Sequence, residues 1–534
     1  MKTLDFDYVV VGGGAAGCVL AARLATDSDA RVVLIERGRR DRNPWIHIPA
    51  TFFKALQGQD VEAIISEPDP SLGHLPFRVP QGRVLGGGSS VNGMIYMRGQ
   101  AQDYDDWVRN YGCEGWGYQD VLPVFRRQER NLTFDDAFHG TEGALKVAHP
   151  SAPHPVSKLV IEAALAAGLP LNEDFNGAQQ EGVGWYQVMA AGGQRQSAAH
   201  CFLRPALRRP NLTVLTNMSA QRVQFKGRKA TALAAIDTNG QPLLIQAHRE
   251  ILLTAGSFQS PKLLMLSGIG PADDLARHGV DVVHANDQVG ANYQDHVGVP
   301  VTRQLQGISG LYGQDQGVAA IKHGLEFLMV RRGLLTSNLL DAGACIDTDG
   351  DGRPDVQYNF APFAPGAPGQ PPMACHAVQV HPMTMRPKSR GRLTLASTDP
   401  AVAPTFEANA LSATEDLDTL RRGVRVAQSI MAQRALFDVL GDEIWPPPNS
   451  SWRSQNDAFD NAIREHARTI YHPAGTCRMG PEGDAVTDTK LRVQGIEGLR
   501  VADCSIMPQL VSGNTCAPTM MIADRAADFV LEDA

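Results

Sequence analysis

Residues 8–17 read Tyr-Val-Val-Val-Gly-Gly-Gly-Ala-Ala-Gly, a β-branched apolar run that feeds directly into Gly12-x-Gly14-x-x-Gly17. Each glycine has a separate physical task. Gly12 permits the tight turn out of a strand, Gly14 lets bare backbone approach a pyrophosphate, and Gly17 lets the next helix pack closely on that strand. The helix that begins near Cys18, with Leu20 and Leu24 four apart, directs its positive N-terminus at the diphosphate. Arg31-Val-Val-Leu-Ile-Glu36 then reads as a second buried strand ending in an acid. Glu36 falls close to the offset of roughly 20 residues at which a carboxylate grips ribose hydroxyls. A lone glycine triplet is a weak signal. Two strands, a helix and a placed acid together predict a dinucleotide site, and Glu36 disfavours a 2′-phosphate and hence NADP.

Working outward, a chain of 534 residues is long for one core, so two closely packed domains are expected. Hydrophobic residues make up 43% and charged residues 20%, as in soluble globular enzymes. The net charge of −8 argues against nucleic acid or an anionic membrane as a general partner. No apolar run approaches a membrane span. The opening Met-Lys-Thr-Leu-Asp-Phe-Asp carries acids where a signal peptide needs an apolar stretch, so a cytoplasmic location is expected. Eight cysteines without a Cys-x-x-Cys read as reduced, buried thiols, and no metal site is expected. Asp347, Asp349, Asp351 and Gly352 have calcium-loop spacing, but Tyr358 stands where a bidentate Glu is needed, so a solvated loop is expected.

Helices are predicted over Asp103–Arg127 with polar breaks, Leu159–Gly168, Pro261–Leu266, Ala413–Met431 and from Pro518 to Leu531. Ser412 with Glu415 three residues later reads as a capping box for the fourth of these. Strands are predicted over Leu212–Val223, Ala230–Ile236, Leu243–His248 and Glu250–Thr254. Residues 307–372, irregular and rich in Pro and Gly, are a candidate lid or substrate wall.

Three further blocks carry a resemblance. They are Gly82-Arg-Val-Leu-Gly-Gly-Gly-Ser-Ser-Val-Asn92, Gly256-Ser-Phe-Gln-Ser-Pro-Lys-Leu-Leu-Met-Leu-Ser-Gly-Ile-Gly270, and Tyr471-His-Pro-Ala-Gly-Thr-Cys-Arg-Met-Gly480 with Asp503 and Asn514-Thr-Cys-Ala-Pro-Thr519. With the N-terminal fingerprint, the whole chain resembles the glucose–methanol–choline (GMC) oxidoreductases. Within that family it looks nearest to bacterial L-sorbose and polyethylene-glycol dehydrogenases.

The resemblance implies an α/β fold: a Rossmann-like FAD-binding domain with an inserted α+β substrate domain. The FAD-binding part is expected to be discontinuous over 1–155, 200–300 and 460–534, and the substrate-binding part to cover 156–199 and 301–459. Contacts to FAD are implied for Gly12, Gly14, Gly17, Glu36, Arg83, Gly87, Ser89, Asn92, the Val223 backbone (to adenine), Asp503 and Thr515. Some members carry a flavin-linked histidine where this chain has Val91, so non-covalent FAD is implied.

Oxidising an alcohol needs a base for the hydroxyl proton and an electrophile for the hydride, and histidine titrates near neutrality. Among 15 histidines, His472 matches the family's catalytic base. Asn514 matches its partner position, where either His or Asn occurs; asparagine can bond the substrate oxygen but cannot take its proton. His296, in a segment resembling the family's passage between domains, reads as structural. The implied activity is oxidation of a primary alcohol or polyol by hydride transfer to flavin N5, with a quinone- or dye-type acceptor favoured over oxygen. By the same resemblance Ile470 corresponds to a position near flavin C4a where some oxidases have a branched apolar residue, which favours the alternative of an oxidase producing hydrogen peroxide. An FAD-containing hydroxynitrile lyase is a further alternative of another class.

Overall fold

The computed structural model describes residues 2–364, 366, 370–446 and 456–534. In chain order, the elements that place the site are β1 (Lys2–Val11), α1 (Ala15–Asp27), β2 (Val32–Glu36), β3 (Gly182–Trp185), β4 (Leu212–Thr216), β5 (Met218–Lys226), β6 (Lys229–Asp237), β7 (Pro242–Leu253) and α2 (Gly256–Leu266). They continue with β8 (Val301–Leu305), α3 (Gly317–Val330), β9 (Ala342–Ile346), β10 (Val356–Ala361), β11 (Ala377–Thr384), α4 (Thr414–Met431), β12 (Leu440–Trp445), β13 (Leu499–Val501) and α5 (Cys516–Glu532).

Two sheets organise the chain. The first has the order β4-β2-β1-β7-β6-β5, with β13 also on β7. Strands β4, β2, β1, β7 and β13 pair in parallel, while β6 and β5 fold back antiparallel. The parallel centre is apolar on both faces: Val9, Val10, Val32, Val33 and Leu34 are all fully buried. That is why these strands read as continuous apolar runs. α1 packs on this sheet and against α5, so the first and last helices of the chain share one core. The second sheet, β12-β8-β11-β10-β9-β3, is antiparallel and backed by α4.

Several local expectations are revised. Residues 101–128 are two helices, Ala101–Tyr111 and Tyr118–Gln128, separated where Gly112 takes a positive φ of 64°. Leu212–Val223 is split into β4 and β5 at Asn217, which also takes a positive φ. The two strands read over 243–254 are the single strand β7. α4 is not capped by Ser412: its N-cap is Ala413, with no side-chain cap, and the Ala413 N–H donates instead to Ser389 Oγ. All eight cysteines are free thiols. The Asp347 carboxylate accepts the Gly350 and Gly352 N–H groups at 2.7 Å, and Asp355 is held by Arg422 and Thr348. Among the described residues, no helix is long and apolar enough to cross a membrane.

Candidate active site

A cavity of about 1720 Å³ runs between the two sheets. One end is lined by Gly12, Gly14, Glu36, Gly87 and Ser89, the other by His472, Asn514, Thr515, Asn359, Gln379 and His381.

At the first end the glycines divide as their spacing predicts. Gly12 sits at φ +110°, and a Cβ there would meet Thr254 O at 2.6 Å. A Cβ on Gly17 would lie 1.8 Å from Gly12 O, so this glycine serves helix–strand packing. Gly14 meets nothing closer than 3.9 Å, so its bare backbone opens onto the cavity. The facing loop of Gly87 comes so close that a Cβ there would lie 2.7 Å from Gly14 Cα. α1 begins at Gly14 with no side-chain cap, leaving its first N–H groups free.

Glu36 is buried at the same end. Its carboxylate accepts the Gly13 N–H at 2.8 Å and the Gly38 N–H at 2.6 Å. Burial nevertheless raises its pKa against these two bonds. A carboxylate has further lone pairs, so acceptor capacity remains.

The other implied cofactor positions are less uniform. Arg83 stands half-exposed at the rim, 3.8 Å from Glu62. The Ser89 hydroxyl is already committed, donating to Gly86 O and accepting from Ala198 N–H. Asn92 Oδ1 accepts from Arg195 at 2.7 Å. Asp503 clamps α2 to the end of β13, accepting from Gly256 N–H and the Ser260 hydroxyl, and it lines the cavity. Thr515 is the N-cap of α5, again without a side-chain cap, so a second helix N-terminus opens onto the cavity.

Val223 is not brought to the cavity. Its side chain is buried, and its N–H is taken by Ser267 Oγ at 2.9 Å. The positions of β5 that do line the cavity are Met218, Ser219 and Ala220. A valine inside a strand carries no mark of which turn of that strand meets the cavity.

At the second end the hydrogen bonds fix a proton inventory. His296 Nε2 lies 3.0 Å from the Met385 carbonyl oxygen. A carbonyl only accepts, so Nε2 carries the proton and Nδ1 of the neutral ring is an acceptor. Burial pulls the His296 pKa down to about 4, which keeps that ring neutral. His296 Nδ1 lies 2.9 Å from His472 Nδ1, so the His472 Nδ1–H must donate. Burial, with His296 pushing the same way, holds the His472 pKa well below its ordinary value. His472 is therefore neutral with Nε2 bare, and it accepts from Asn514 Nδ2 at 3.2 Å.

Asn514 cannot turn over freely. Gln357 Nε2 donates to its Oδ1 at 3.1 Å and also to the Tyr186 hydroxyl, which itself donates to the Tyr358 carbonyl. Asp295 anchors the backbone, accepting the His472 N–H at 2.9 Å and the Thr469 hydroxyl, and burial raises its pKa to about 7. So the structure brings His472 and Asn514 together, and it adds His296, Asp295 and Gln357, which the sequence reading did not select. His296 was visible as a histidine beside Asp295. Gln357 gave no signal.

The chain is similar to known proteins over nearly its whole length. The two GMC oxidoreductase family models match residues 6–298 and 387–523. The alcohol dehydrogenase [acceptor] of Pseudomonas putida is 38% identical, covering 98% of this chain and 96% of that protein. The oxygen-dependent choline dehydrogenase of Rhizobium rhizogenes is 39% identical, covering 99% and 96%. Among solved structures, pyridoxine 4-oxidase from "Mesorbium loti" aligns with a TM-score of 0.88 at 30% identity over 98% of both chains. Formate oxidase aligns at 0.93 with 24% identity over 100% and 99%, a likeness of fold.

The chain's residues fit the cofactor of this family. A bare double-glycine cradle and the uncapped start of α1 suit a diphosphate, and the uncapped start of α5 suits a second electron-rich group in the same cavity. The chain belongs to the GMC oxidoreductases and is an FAD-dependent enzyme acting on CH–OH donors.

Proposed function

We propose that the enzyme oxidises a primary alcohol or polyol to the carbonyl compound, with His472 as the general base and Asn514 as its partner at the substrate oxygen. The observation that carries this is the bare Nε2 of His472, held in that state from one side by His296 and Met385 and from the other by Asn514 and Gln357. FAD, when bound, supplies the hydride acceptor at its N5. His472 Nε2 takes the hydroxyl proton, and the Asn514 Nδ2–H steadies the oxygen as charge builds on it.

Gly12, Gly14, Gly17, Glu36, Arg83, Gly87, Ser89, Asn92, Asp503 and Thr515 are read as the FAD site, partly by direct contact and partly by shaping the loops. Ala220 takes the place expected for Val223. Segments 1–155, 200–300 and 460–534 are read as the FAD-binding domain, and 156–199 with 301–459 as the substrate domain. The cofactor is held non-covalently, since Val91 lines the cavity with a side chain that cannot bond to it. Acid precipitation should leave the flavin in the supernatant.

The polyol reading has its own support. Asn359 Oδ1, Gln379 Oε1 and His381 Nε2 are buried with no partner among the described residues, and all three side chains line the cavity. Asn359 is opposite His381, and Ala361 opposite Gln379, across the β10–β11 pair. An unpaired buried polar group costs about 1–3 kcal/mol, which substrate hydroxyls would recover. Burial, with the Arg468 guanidinium pushing the same way, lowers the His381 pKa to about 3, so the His381 ring is neutral.

We favour a non-oxygen acceptor, as for an alcohol dehydrogenase named for an unspecified acceptor, although the R. rhizogenes relative is named oxygen-dependent. Mixing the enzyme with alcohols and polyols without oxygen should bleach the flavin, and His472→Ala should slow bleaching by ~100-fold or more. No bleaching by any alcohol would favour a lyase and sink the proposal. Rapid return of colour in air would favour the oxidase.

A further inference from the structure

We propose that α3 docks the enzyme on the surface of an anionic phospholipid membrane. The helix reads Gly-Val-Ala-Ala-Ile-Lys-His-Gly-Leu-Glu-Phe-Leu-Met-Val over 317–330. Val318, Ile321, Leu325, Leu328 and Met329 recur at spacings of three and four, which puts them on one stripe. In a globular protein such a stripe faces the core. Here it faces outward: these five side chains are between 52% and 83% exposed, and Val330 adds 56%. What holds the helix down is the other face, where only Phe327 is buried, capped by the Arg331 guanidinium 4.5 Å from its ring centroid.

The chemistry around the stripe selects its occupant. Lys322, Arg331 and Arg332 are exposed beside it. Asp315, two residues before α3, meets Lys54 at 3.5 Å, and Lys54 lies 5.3 Å from the ring of Trp45, itself 43% exposed. Aliphatic side chains flanked by four basic groups (Lys54, Lys322, Arg331, Arg332) against two acidic ones (Asp315, Glu326), with an indole at the edge, match the layers of a bilayer surface: acyl chains, phosphate headgroups and the boundary between them. A second copy fits worse. A twofold contact through this face would bring its own basic residues together, and the stripe lacks the aromatic anchors that dominate protein interfaces. The net charge of −8 is a whole-chain sum and does not describe this patch. The docked face also adjoins the active-site cavity, because the short helix Phe52–Leu56 that carries Lys54 lines the cavity with Phe53 and Leu56.

The test is flotation of the FAD-loaded enzyme with vesicles of phosphatidylcholine alone and of phosphatidylcholine mixed with phosphatidylglycerol. The enzyme should float with the mixed vesicles, and more weakly in high salt. The double variant L325E/M329E should lose at least ~10-fold in vesicle partition, a loss set by removing two apolar anchors. The variant K322E/R331E/R332E should lose the preference for the anionic vesicles. Both should keep the flavin spectrum and the turnover in free solution of the parent. Wild-type enzyme that stays with neither vesicle, or L325E/M329E that floats as well as the parent, overturns the proposal. So does light scattering that shows a dimer which L325E/M329E dissociates, since the face would then belong to a second copy.

Discussion

Removing the imidazole of His296 tests whether the proton inventory at His472 sets the rate. In His296→Ala the His472 Nδ1–H loses its buried acceptor at 2.9 Å. Leaving such a donor unpaired costs about 1–3 kcal/mol. The ring can escape by moving the proton to Nε2, but there it would face Asn514 Nδ2, also a donor. Asn514 could turn over only by pointing its amide at Gln357 Nε2, a third donor. Every escape therefore costs a hydrogen bond, and 1–3 kcal/mol corresponds to a fall of roughly 5- to 150-fold in the rate of flavin reduction. The assay is anaerobic stopped-flow bleaching across a pH series.

The pH profile separates this from simple loosening. The base works deprotonated, so the rate falls as pH drops through its pKa. With the His472 pKa held well below its ordinary value by burial and by His296, the parent rate should be flat through neutrality and fall only in acid. In His296→Ala the push from His296 is gone, and the acid limb should move up toward the ordinary histidine pKa of about 6.5. As a companion, Gln357→Glu replaces the donor that orients Asn514 with an acceptor. Asn514 should then turn its amide toward position 357 and present its oxygen to His472 Nε2, favouring the wrong tautomer. His296→Ala that bleaches at the parental rate with an unshifted acid limb would refute the reasoning.

Other consequences are open to direct measurement. Gly14→Ala should leave the melting temperature of FAD-free protein nearly unchanged, since its Cβ meets nothing within 3.9 Å, yet weaken FAD binding in a fluorescence titration. Gly17→Ala should lower the melting temperature or prevent folding, because its Cβ would lie 1.8 Å from Gly12 O; equal behaviour of the two variants would contradict the division of roles. His139 is held between Asp174 and Glu129, and although burial pulls its pKa down, those hydrogen bonds carry it up to about 9. Its contribution to stability is therefore fully present below the unfolded value of about 6.5 and lost as pH rises through the folded value. Thermal melts should fall in that alkaline window, and His139→Gln should flatten the fall.

What the sequence made legible was whatever is local or carried by a family pattern. The glycine fingerprint works through neighbours within one turn of chain, and its three roles reappear in the atoms that a Cβ would strike. His472 and Asn514 stood out because their flanking residues match a pattern. The residues that settle which nitrogen of His472 is bare lie 176 and 157 positions from their partners, as His296 to His472 and Gln357 to Asn514. Nothing in a strand sequence such as Val356–Ala361 marks one glutamine as the orienter of a distant amide. Val223 erred for the related reason that strand membership is readable while the turn of the strand that meets a cavity is not.

The same distinction governs α3. Residues 317–330 lie in the stretch read as irregular, yet they form the helix α3 with apolar residues every three or four positions, and globular folding supplies the default that such a stripe faces inward. That default is a statement about the most common neighbour, water on one side and protein on the other. Where the stripe faces out between basic residues, the neighbour has changed, and the pattern that usually reports a core reports a surface with its own apolar layer. Whole-chain charge hides such a patch because it sums over both ends of the molecule, whereas electrostatic attraction to a membrane is felt within about 8–10 Å of the headgroups at physiological salt. Local charge beside exposed aliphatic area, rather than net charge, is the quantity that decides whether this oxidoreductase works free in solution or at a lipid surface.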